Sequence, residues 1–200
     1  MTNPEKPRLH SRAMIVFIAL ISVVPFVLAW YYAQHPELID KTSNYGTLIL
    51  PSRQIDHAQL VADGVNSTGK VLEQIKGRWI LLQVSPGHCS TSCTEALYKT
   101  HQGWLMLNKE MPRVQRLLLA STVTQAREVP EIAQDDALLI AGLTPPVLQS
   151  LTSAIGKPPG EGVVILLDPL GNLVLWYDTG FDPYKLVKDL KHLLKASQIG

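Results

Sequence analysis

The two cysteines of this 200-residue chain, Cys89 and Cys93, lie four positions apart. Two cysteines placed at random in a chain of this length would show that separation roughly once in a hundred times, so the spacing calls for a chemical explanation. Pro86 and Gly87 interrupt the apolar run before the pair, and Ser90 is a residue type that commonly begins a helix. The sequence therefore predicts a strand, then a tight loop with Cys89, then a helix that carries Cys93 one turn in.

A cysteine at the start of a helix faces unpaired backbone N–H groups and the positive end of the helix dipole, and both favour the thiolate over the thiol. The thiolate is the nucleophile of disulfide exchange and also a ligand for soft metals such as Cu(I). In a regular helix the Cβ atoms of residues i and i+4 lie about 5–6 Å apart, whereas a disulfide needs roughly 3.5–4.5 Å. If the pair forms a disulfide, we expect Cys89 in the loop or on a distorted first turn. Two inert buried cysteines, or a purely structural disulfide, are the alternatives.

His88 is the histidine best placed to act with the cysteines, because it directly precedes Cys89. It could swing in as a metal ligand, stabilise the thiolate as an imidazolium, or be a solvated loop residue. His101 lies on the same helical row as Cys93, but eight residues further on. That separation is about 12 Å along a continuous helix, which excludes His101 as a co-ligand.

The elements that must position these residues follow from the hydrophobic pattern. Trp79 to Val84 reads as a buried strand, Ser90 to Lys109 as a helix, and Val114 to Ser121 as a second buried strand. A strand–helix–strand unit of this length predicts a parallel pair with a right-handed crossover. Further patterns predict a short strand at 60–61, a helical turn at 71–75, a strand at 137–141, a helix at 145–155, a hairpin of 163–167 with 173–177, and a last helix that begins at 182–183.

This order of elements predicts the α/β fold class, with a thioredoxin-like central sheet covered by helices. The cysteines would then stand at the carboxyl end of a parallel strand, where open α/β sheets present their sites. The net charge of +1 gives no electrostatic reason to expect nucleic acid as a partner.

The amino-terminal part of the chain predicts one transmembrane helix. Residues 13–33 contain no charged side chain, and at 1.5 Å per residue they span about 30 Å, the hydrocarbon thickness of a bilayer. Basic residues precede this segment, so the positive-inside rule places the amino terminus in the cytoplasm and the rest of the chain outside. A cleaved signal peptide is the alternative. The predicted organisation is a cytoplasmic amino terminus at 1–12, a transmembrane helix at 13–33, a linker at 34–54 and a thioredoxin-like domain at 55–200.

Several stretches of about residues 10–200 resemble a known family. They are Gly77-Arg78-Trp79-Ile80-Leu81-Leu82 followed by His88-Cys89-x-x-x-Cys93, and Leu167-Asp168-Pro169-x-Gly171 with the closing helix. These resemble the Sco family, thioredoxin-fold copper and thiol proteins of cytochrome c oxidase assembly. Three further stretches resemble more closely a group of single-span membrane proteins encoded with cytochrome c oxidase genes in proteobacteria: Asn44-Tyr45-Gly46, Asp168-Pro169-Leu170-Gly171-Asn172 and the tail Leu194–Gly200.

The resemblance implies an inner-membrane protein with a periplasmic domain, and a cytochrome c oxidase subunit or assembly factor as partner. It implies Cys89 and Cys93 as the redox or copper-binding pair, with His88 as a further candidate ligand. Sco proteins complete their copper site with a histidine shortly before the last hairpin, but residues 157–162, where that position falls, contain none. High-affinity Cu(II) binding is therefore not expected, whereas two-coordinate Cu(I) and dithiol chemistry need no histidine.

Three functions remain open from the sequence. In a thiol–disulfide oxidoreductase, Cys89 would attack a substrate disulfide and Cys93 would resolve the mixed disulfide. In a copper chaperone, both thiolates would bind Cu(I). In an assembly module, the fold would have been kept without the chemistry. A cis peptide bond before Pro158 or Pro159 would favour disulfide exchange, because thioredoxin-like active sites resemble one another in having a cis-proline beside the cysteines.

Overall fold

The computed structural model describes residues 9–35, 44–61 and 68–197 of the chain. It divides into two compact units, Met1–Thr42 and Ser43–Gly200. The first unit is formed by helix α1 (Leu9–Gln34). Within it, Ala13–Gln34 is 22 residues long with a mean hydropathy of 2.6, which makes it long and apolar enough to cross a membrane. Its side chains are exposed, as those of a helix in contact with lipid would be.

The second unit is built on a mixed sheet of six strands: β1 (Thr47–Gln54), β2 (Trp79–Ser85), β3 (Val114–Ala120), β4 (Leu138–Gly142), β5 (Val164–Leu167) and β6 (Asn172–Tyr177). The strand order is β1-β6-β5-β2-β3-β4. Strands β2, β3 and β4 run parallel, as the strand–helix–strand pattern predicted. β5 pairs antiparallel with both β2 and β6, and β1 pairs antiparallel with β6 at the edge.

The helices of this unit are α2 (His57–Leu60), α3 (Thr68–Ile75), α4 (Thr91–Leu105), α5 (Val123–Glu128), α6 (Pro130–Ala133), α7 (Pro145–Ile155) and α8 (Pro183–Ala196). A 3-10 helix spans Asn108–Arg113, after α4. The predicted helix at 90–109 is therefore shorter than expected and is followed by a separate turn. The predicted strand at 60–61 is wrong, because Leu60 ends a helix there.

The sheet has a hydrophobic core on each face, since alternate residues of β2 point in opposite directions. Ile80, Leu82 and Val84 belong to the cluster that includes residues of α2, α3 and α7. Trp79 and Leu81 belong to the cluster on the other face, which includes residues of α8. Every residue of β2 is buried as a result, which fits its nearly unbroken apolar sequence.

The carboxyl end of β2 is fixed before the chain turns into α4. Ser85 pairs with Ala120 as the last register of β2 with β3. Just beyond, the Ser121 hydroxyl donates to the carbonyl of Pro86 at 2.7 Å, and the Ser121 N–H donates to the carbonyl of Ser85 at 3.1 Å. These hydrogen bonds fix the point at which the loop that carries Cys89 leaves the sheet.

Candidate functional site

Cys89 and Cys93 form a disulfide, with their Cα atoms 5.2 Å apart. Cys89 lies in the loop before α4, and Cys93 lies in the first turn of that helix. This agrees with the expectation that the first cysteine must stand outside regular helix for the sulfurs to meet. Ser90 is the N-cap residue directly before α4, close to where the sequence predicted the start of the helix.

The two cysteines differ in their access to solvent. Cys89 keeps 8 % of its surface exposed and Cys93 only 2 %. Both belong to a small apolar cluster with Leu97 of α4 and Leu118 of β3. A thiolate that approaches from solvent therefore reaches the Cys89 side of the disulfide more readily than the Cys93 side.

A surface groove of about 490 Å³ opens beside the disulfide. It includes Cys89 but not Cys93 among its lining residues, and its other side is formed by the end of α5 and the start of α6. His88 lines the groove and is exposed, next to the first cysteine as the sequence places it. Two exposed carboxylates, Glu128 and Glu131, line the opposite wall.

A third carboxylate reaches the disulfide loop from a distant part of the chain. One oxygen of Glu161, Oε2, accepts the N–H of Ser90 at 3.2 Å and also the Ser90 hydroxyl. The next residue, Gly162, has a φ of +80°, and a Cβ atom there would lie 2.9 Å from the carbonyl oxygen of Ser92. The loop before β5 is therefore packed directly against the first turn of α4. Sequence reasoning missed Glu161, although it lies in the stretch 157–162 where the Sco resemblance draws attention to a missing histidine.

A buried ionic network lies beneath the same helix. Arg116 of β3 is 1 % exposed, and its Nη1 donates to Oδ2 of Asp135 at 2.5 Å. Its Nη2 donates to the carbonyl of Leu97 in α4 at 3.0 Å. His101 contacts both members of the pair through Nδ1, at 3.1 Å from Arg116 and 3.2 Å from Asp135. His101 thus belongs to this network, where its Nδ1 contacts both charged groups.

The pKa values of this network follow from burial and pairing. Burial lowers the pKa of Arg116 below its usual value, although the bond to Asp135 opposes that shift. Burial alone would raise the pKa of Asp135, but the hydrogen bond and charge of Arg116, together with His101, lower it overall. The pair is therefore ionised at neutral pH and fixes α4 to the sheet one turn beyond Cys93.

The disulfide decides what metal chemistry the site can support. Within the described residues, no three His, Cys, Asp or Glu side chains are grouped so as to hold a metal ion. Both sulfurs are bonded to each other in this state, so only reduction would free them as ligands. Two thiolates without a third donor fit Cu(I), which accepts low coordination by soft ligands. Among the X-Pro bonds of the described residues only Leu50–Pro51 is cis, so the cis bond considered for Pro158 or Pro159 is not found.

The mixed sheet, its covering helices and a cysteine pair after a parallel strand define a thioredoxin-like protein. Residues 79–197 match the family described as "Transmembrane-like, thioredoxin-like, C-terminal domain". The chain belongs to this family.

Solved structures of Sco proteins share the fold. Apo Sco1 from Thermus thermophilus aligns with a TM-score of 0.50 and 20% identity, over 75% of this chain and 96% of that chain. Copper-bound ScoI from Arabidopsis thaliana aligns with a TM-score of 0.50 and 17% identity, over 62% of this chain and 88% of that chain. Copper-bound yeast Sco1 aligns with a TM-score of 0.50 and 15% identity, over 62% of this chain and 83% of that chain. The predicted Sco-like, thioredoxin-like fold is thereby confirmed. No curated protein sequence matches the chain.

Proposed function

We propose that this protein carries out thiol–disulfide exchange through Cys89 and Cys93, as a membrane-anchored factor in cytochrome c oxidase assembly. The observation that supports it most directly is the disulfide itself, which lies at the end of β2 with Cys89 as its more exposed member. A purely structural disulfide would not need an open groove beside one of its two cysteines.

The reaction runs from the reduced form of the pair. The Cys89 thiolate attacks one sulfur of a substrate disulfide, and the other substrate sulfur leaves as a thiolate that takes up a proton. The Cys93 thiol loses its proton and attacks Cys89 in the mixed disulfide, which releases the second substrate thiolate. The substrate has then gained two electrons, and the protein has lost them as the Cys89–Cys93 disulfide. An external dithiol reductant must restore the reduced pair before the next cycle.

The proposed location of the chemistry rests on α1 and on the residues before it. A single apolar helix of this length is suited to anchor the chain, and the basic residues before it favour a domain on the outer side of the inner membrane. Disulfide exchange is useful on that side because cysteines there are exposed to oxidation. A suitable client is the cysteine pair of the oxidase subunit that holds the dinuclear copper centre, since it must be reduced before copper can bind.

Cu(I) delivery is the second candidate, and a separate observation favours it. Two of the structures that share the fold carry copper. Here Cys89 and Cys93, once reduced, would hold Cu(I) between two thiolates, with exposed His88 as a neighbouring donor. The copper ion is the cargo in this function, and the protein's residues bind and release it.

Redox titration of the full chain in detergent tests the first function. Glutathione buffers of increasing reducing strength should convert the disulfide to the dithiol in one reversible two-electron transition, detected by thiol alkylation. A Cu(I) competition with a chelator tests the second, and should give one equivalent bound, lost in Cys93→Ala.

Genetic complementation separates both functions from a scaffold role. The Cys89→Ser/Cys93→Ser variant should fail to restore oxidase activity in a strain that lacks the protein, whereas Tyr98→Ser, an exposed change on the same helix, should restore it. Full restoration by the double cysteine variant would rule out both chemical functions and leave an assembly module.

A further inference from the structure

We propose that Glu161 sets the redox equilibrium of the cysteine pair, by holding a negative charge beside Cys89 that disfavours the reduced form. Glu161 is a positioning residue in this proposal, which rests on the thiol–disulfide function proposed above. It acts through the charge around the sulfurs and exchanges no electrons itself.

The carboxylate of Glu161 lies close to the residues that precede and follow Cys89 in the chain. Its Oε2 accepts two hydrogen bonds from Ser90, the residue that follows Cys89. Its Oε1 lies 3.7 Å from the position that a Cβ atom would take at Gly87, two residues before Cys89. The charged group therefore lies along the backbone of the loop from which the first sulfur projects.

The loop that carries Glu161 is fixed, so the charge stays in place. The carbonyl of Glu161 accepts the Thr179 hydroxyl at 2.9 Å. Gly162 packs against the carbonyl of Ser92 in the first turn of α4. Both of these contacts use main-chain atoms of the loop. A substitution that removes only the charge of the Glu161 side chain should therefore leave the backbone of the loop in place.

Glu161 takes part in none of the ion pairs that the described part of the chain contains. Its partner is the neutral Ser90, at the amino end of α4. The negative charge therefore offsets the positive end of the helix dipole, which would otherwise stabilise a thiolate on Cys89.

The sign of the effect follows from the balance of the half-reaction. The disulfide takes up two electrons and one proton to give one thiol and one thiolate, so negative charge appears on sulfur. A fixed carboxylate nearby raises the free energy of that product and leaves the neutral disulfide almost unchanged. Glu161 therefore shifts the pair toward the disulfide, and its removal should make the protein easier to reduce.

Glu161→Gln tests the proposal, because the amide oxygen can still accept from Ser90 while the charge is gone. The full chain in detergent is titrated in glutathione buffers, with thiol alkylation as the readout. We expect the equilibrium constant for reduction to rise about threefold, which is about 14 mV in reduction potential. The difference from wild type should shrink when NaCl is raised from 0.05 M to 0.5 M, because salt screens a partly exposed charge.

Glu73→Gln is the matched control. Glu73 is exposed on α3, which leads into the amino end of β2, about 20 Å of strand away from the disulfide. The Glu73→Gln substitution also removes one negative charge from the chain, and it should leave the reduction potential of the cysteine pair at the wild-type value. Glu161→Ala removes both the charge and the hydrogen bonds, so it reports the structural part of the effect as any shift beyond that of Glu161→Gln.

A potential for Glu161→Gln equal to or below that of wild type would overturn the proposal, and so would a shift that salt leaves unchanged. In both cases a normal wild-type titration would leave the proposed disulfide exchange intact. A wild-type disulfide that no glutathione ratio reduces reversibly would overturn the proposed exchange and this inference together.

Discussion

Two carboxylates, Asp189 and Glu161, each tie together segments that are far apart in the chain, but they differ in burial. Asp189 of α8 is 3 % exposed, and its Oδ2 accepts the N–H groups of Tyr45 and Gly46 and the hydroxyl of Tyr177, each at 2.8 Å. Glu161 is only half-buried and serves the single residue Ser90. The same chemical group thus fastens the start of the folded unit in one place and borders the disulfide in the other.

The difference shows how burial decides what a charge does. Burial, together with the hydrogen bond and charge of Asp189, raises the pKa of Tyr177, so the phenol stays protonated and remains a donor. Removing such a group strands buried donors, and the whole fold loses stability. Removing the Glu161 charge strands nothing buried, so its effect should appear in the redox equilibrium of its neighbours. The Arg116–Asp135 pair behaves like Asp189 in this comparison.

The largest loss of stability is expected from Asp135→Ala. Arg116, 1 % exposed, would keep its charge without a counter-charge, and breaking a buried pair in this way costs about 3–5 kcal/mol. Chemical denaturation of the full chain measures it, with the exposed neighbour Asp136→Ala as a control that should change stability by less than about 0.5 kcal/mol. A loss below about 1 kcal/mol for Asp135→Ala would mean that Arg116 finds other partners. Burial would then not decide how much a carboxylate contributes to stability.

Asp189→Ala should come next, with a loss of about 2–3 kcal/mol, because three buried or half-buried donors lose their acceptor. Tyr177→Phe removes one of those bonds and should cost about 1 kcal/mol. The same denaturation experiment measures both. The reduction potential of the cysteine pair should stay unchanged in Asp189→Ala, and a shift as large as that of Glu161→Gln would contradict the separation of the two regions.

Breaking the disulfide should cost roughly 2 kcal/mol or less. The loop that it closes, from Cys89 to Cys93, is short, so the chain entropy that it removes from the unfolded state is small. Denaturation curves of the wild type with and without dithiothreitol give the difference directly. The Cys89→Ser/Cys93→Ser variant should match the reduced wild type; a much greater loss would assign the disulfide to structure and weaken the case for exchange.

Acid should protonate Asp135 and so remove its contribution to the free energy of unfolding, while the side chain itself stays in place. The pKa of Asp135 is lowered in the folded protein, so its contribution to stability is complete above its ordinary value of about 3.9 and disappears as the pH falls through and below that value. Stability measured between pH 6 and pH 3 should therefore fall more steeply in the wild type than in Asp135→Asn. Parallel curves would contradict a native-state pairing with Arg116 that depends on charge.

The smallest effect is expected at an exposed pair. Lys157 and Asp178 are 49% and 59% exposed and 2.8 Å apart, and surface ion pairs of this kind contribute little. Lys157→Ala should lower stability by less than about 1 kcal/mol, including its contact with the ring of Trp176, and high salt should reduce the difference further. A loss of stability comparable to that of Asp189→Ala would contradict the expectation that buried charged groups contribute more to stability than exposed ones.

Local patterns predicted the framework of the site because their causes are local. The apolar run of β2, the Pro86–Gly87 break and the helix start at Ser90 each act within a few residues, and the structure contains all three. The hairpin around Asp168 and the last helix from Pro183 were predicted for the same reason. The fold class followed from their order.

The features that sequence missed depend on partners far away in the chain. β1 lies within residues 34–54, which the pattern assigned to a linker, because this edge strand buries one residue in eight and shows no alternation. Arg116 interrupts an apolar strand and is buried only because Asp135 meets it across the fold. Glu161 gains its place from the packing of Gly162 against α4, which no local pattern indicates.

The hydrogen bond from Arg116 to the carbonyl of Leu97 has a mechanical consequence for the proposed disulfide exchange. This contact holds α4 to the sheet one turn beyond Cys93 and does not involve either sulfur. If the sulfur–sulfur bond opens as the proposed exchange requires, we expect this contact to keep α4 in place and to confine the adjustment to the short loop that carries Cys89. The pair would then change its oxidation state with little reorganisation elsewhere in the fold.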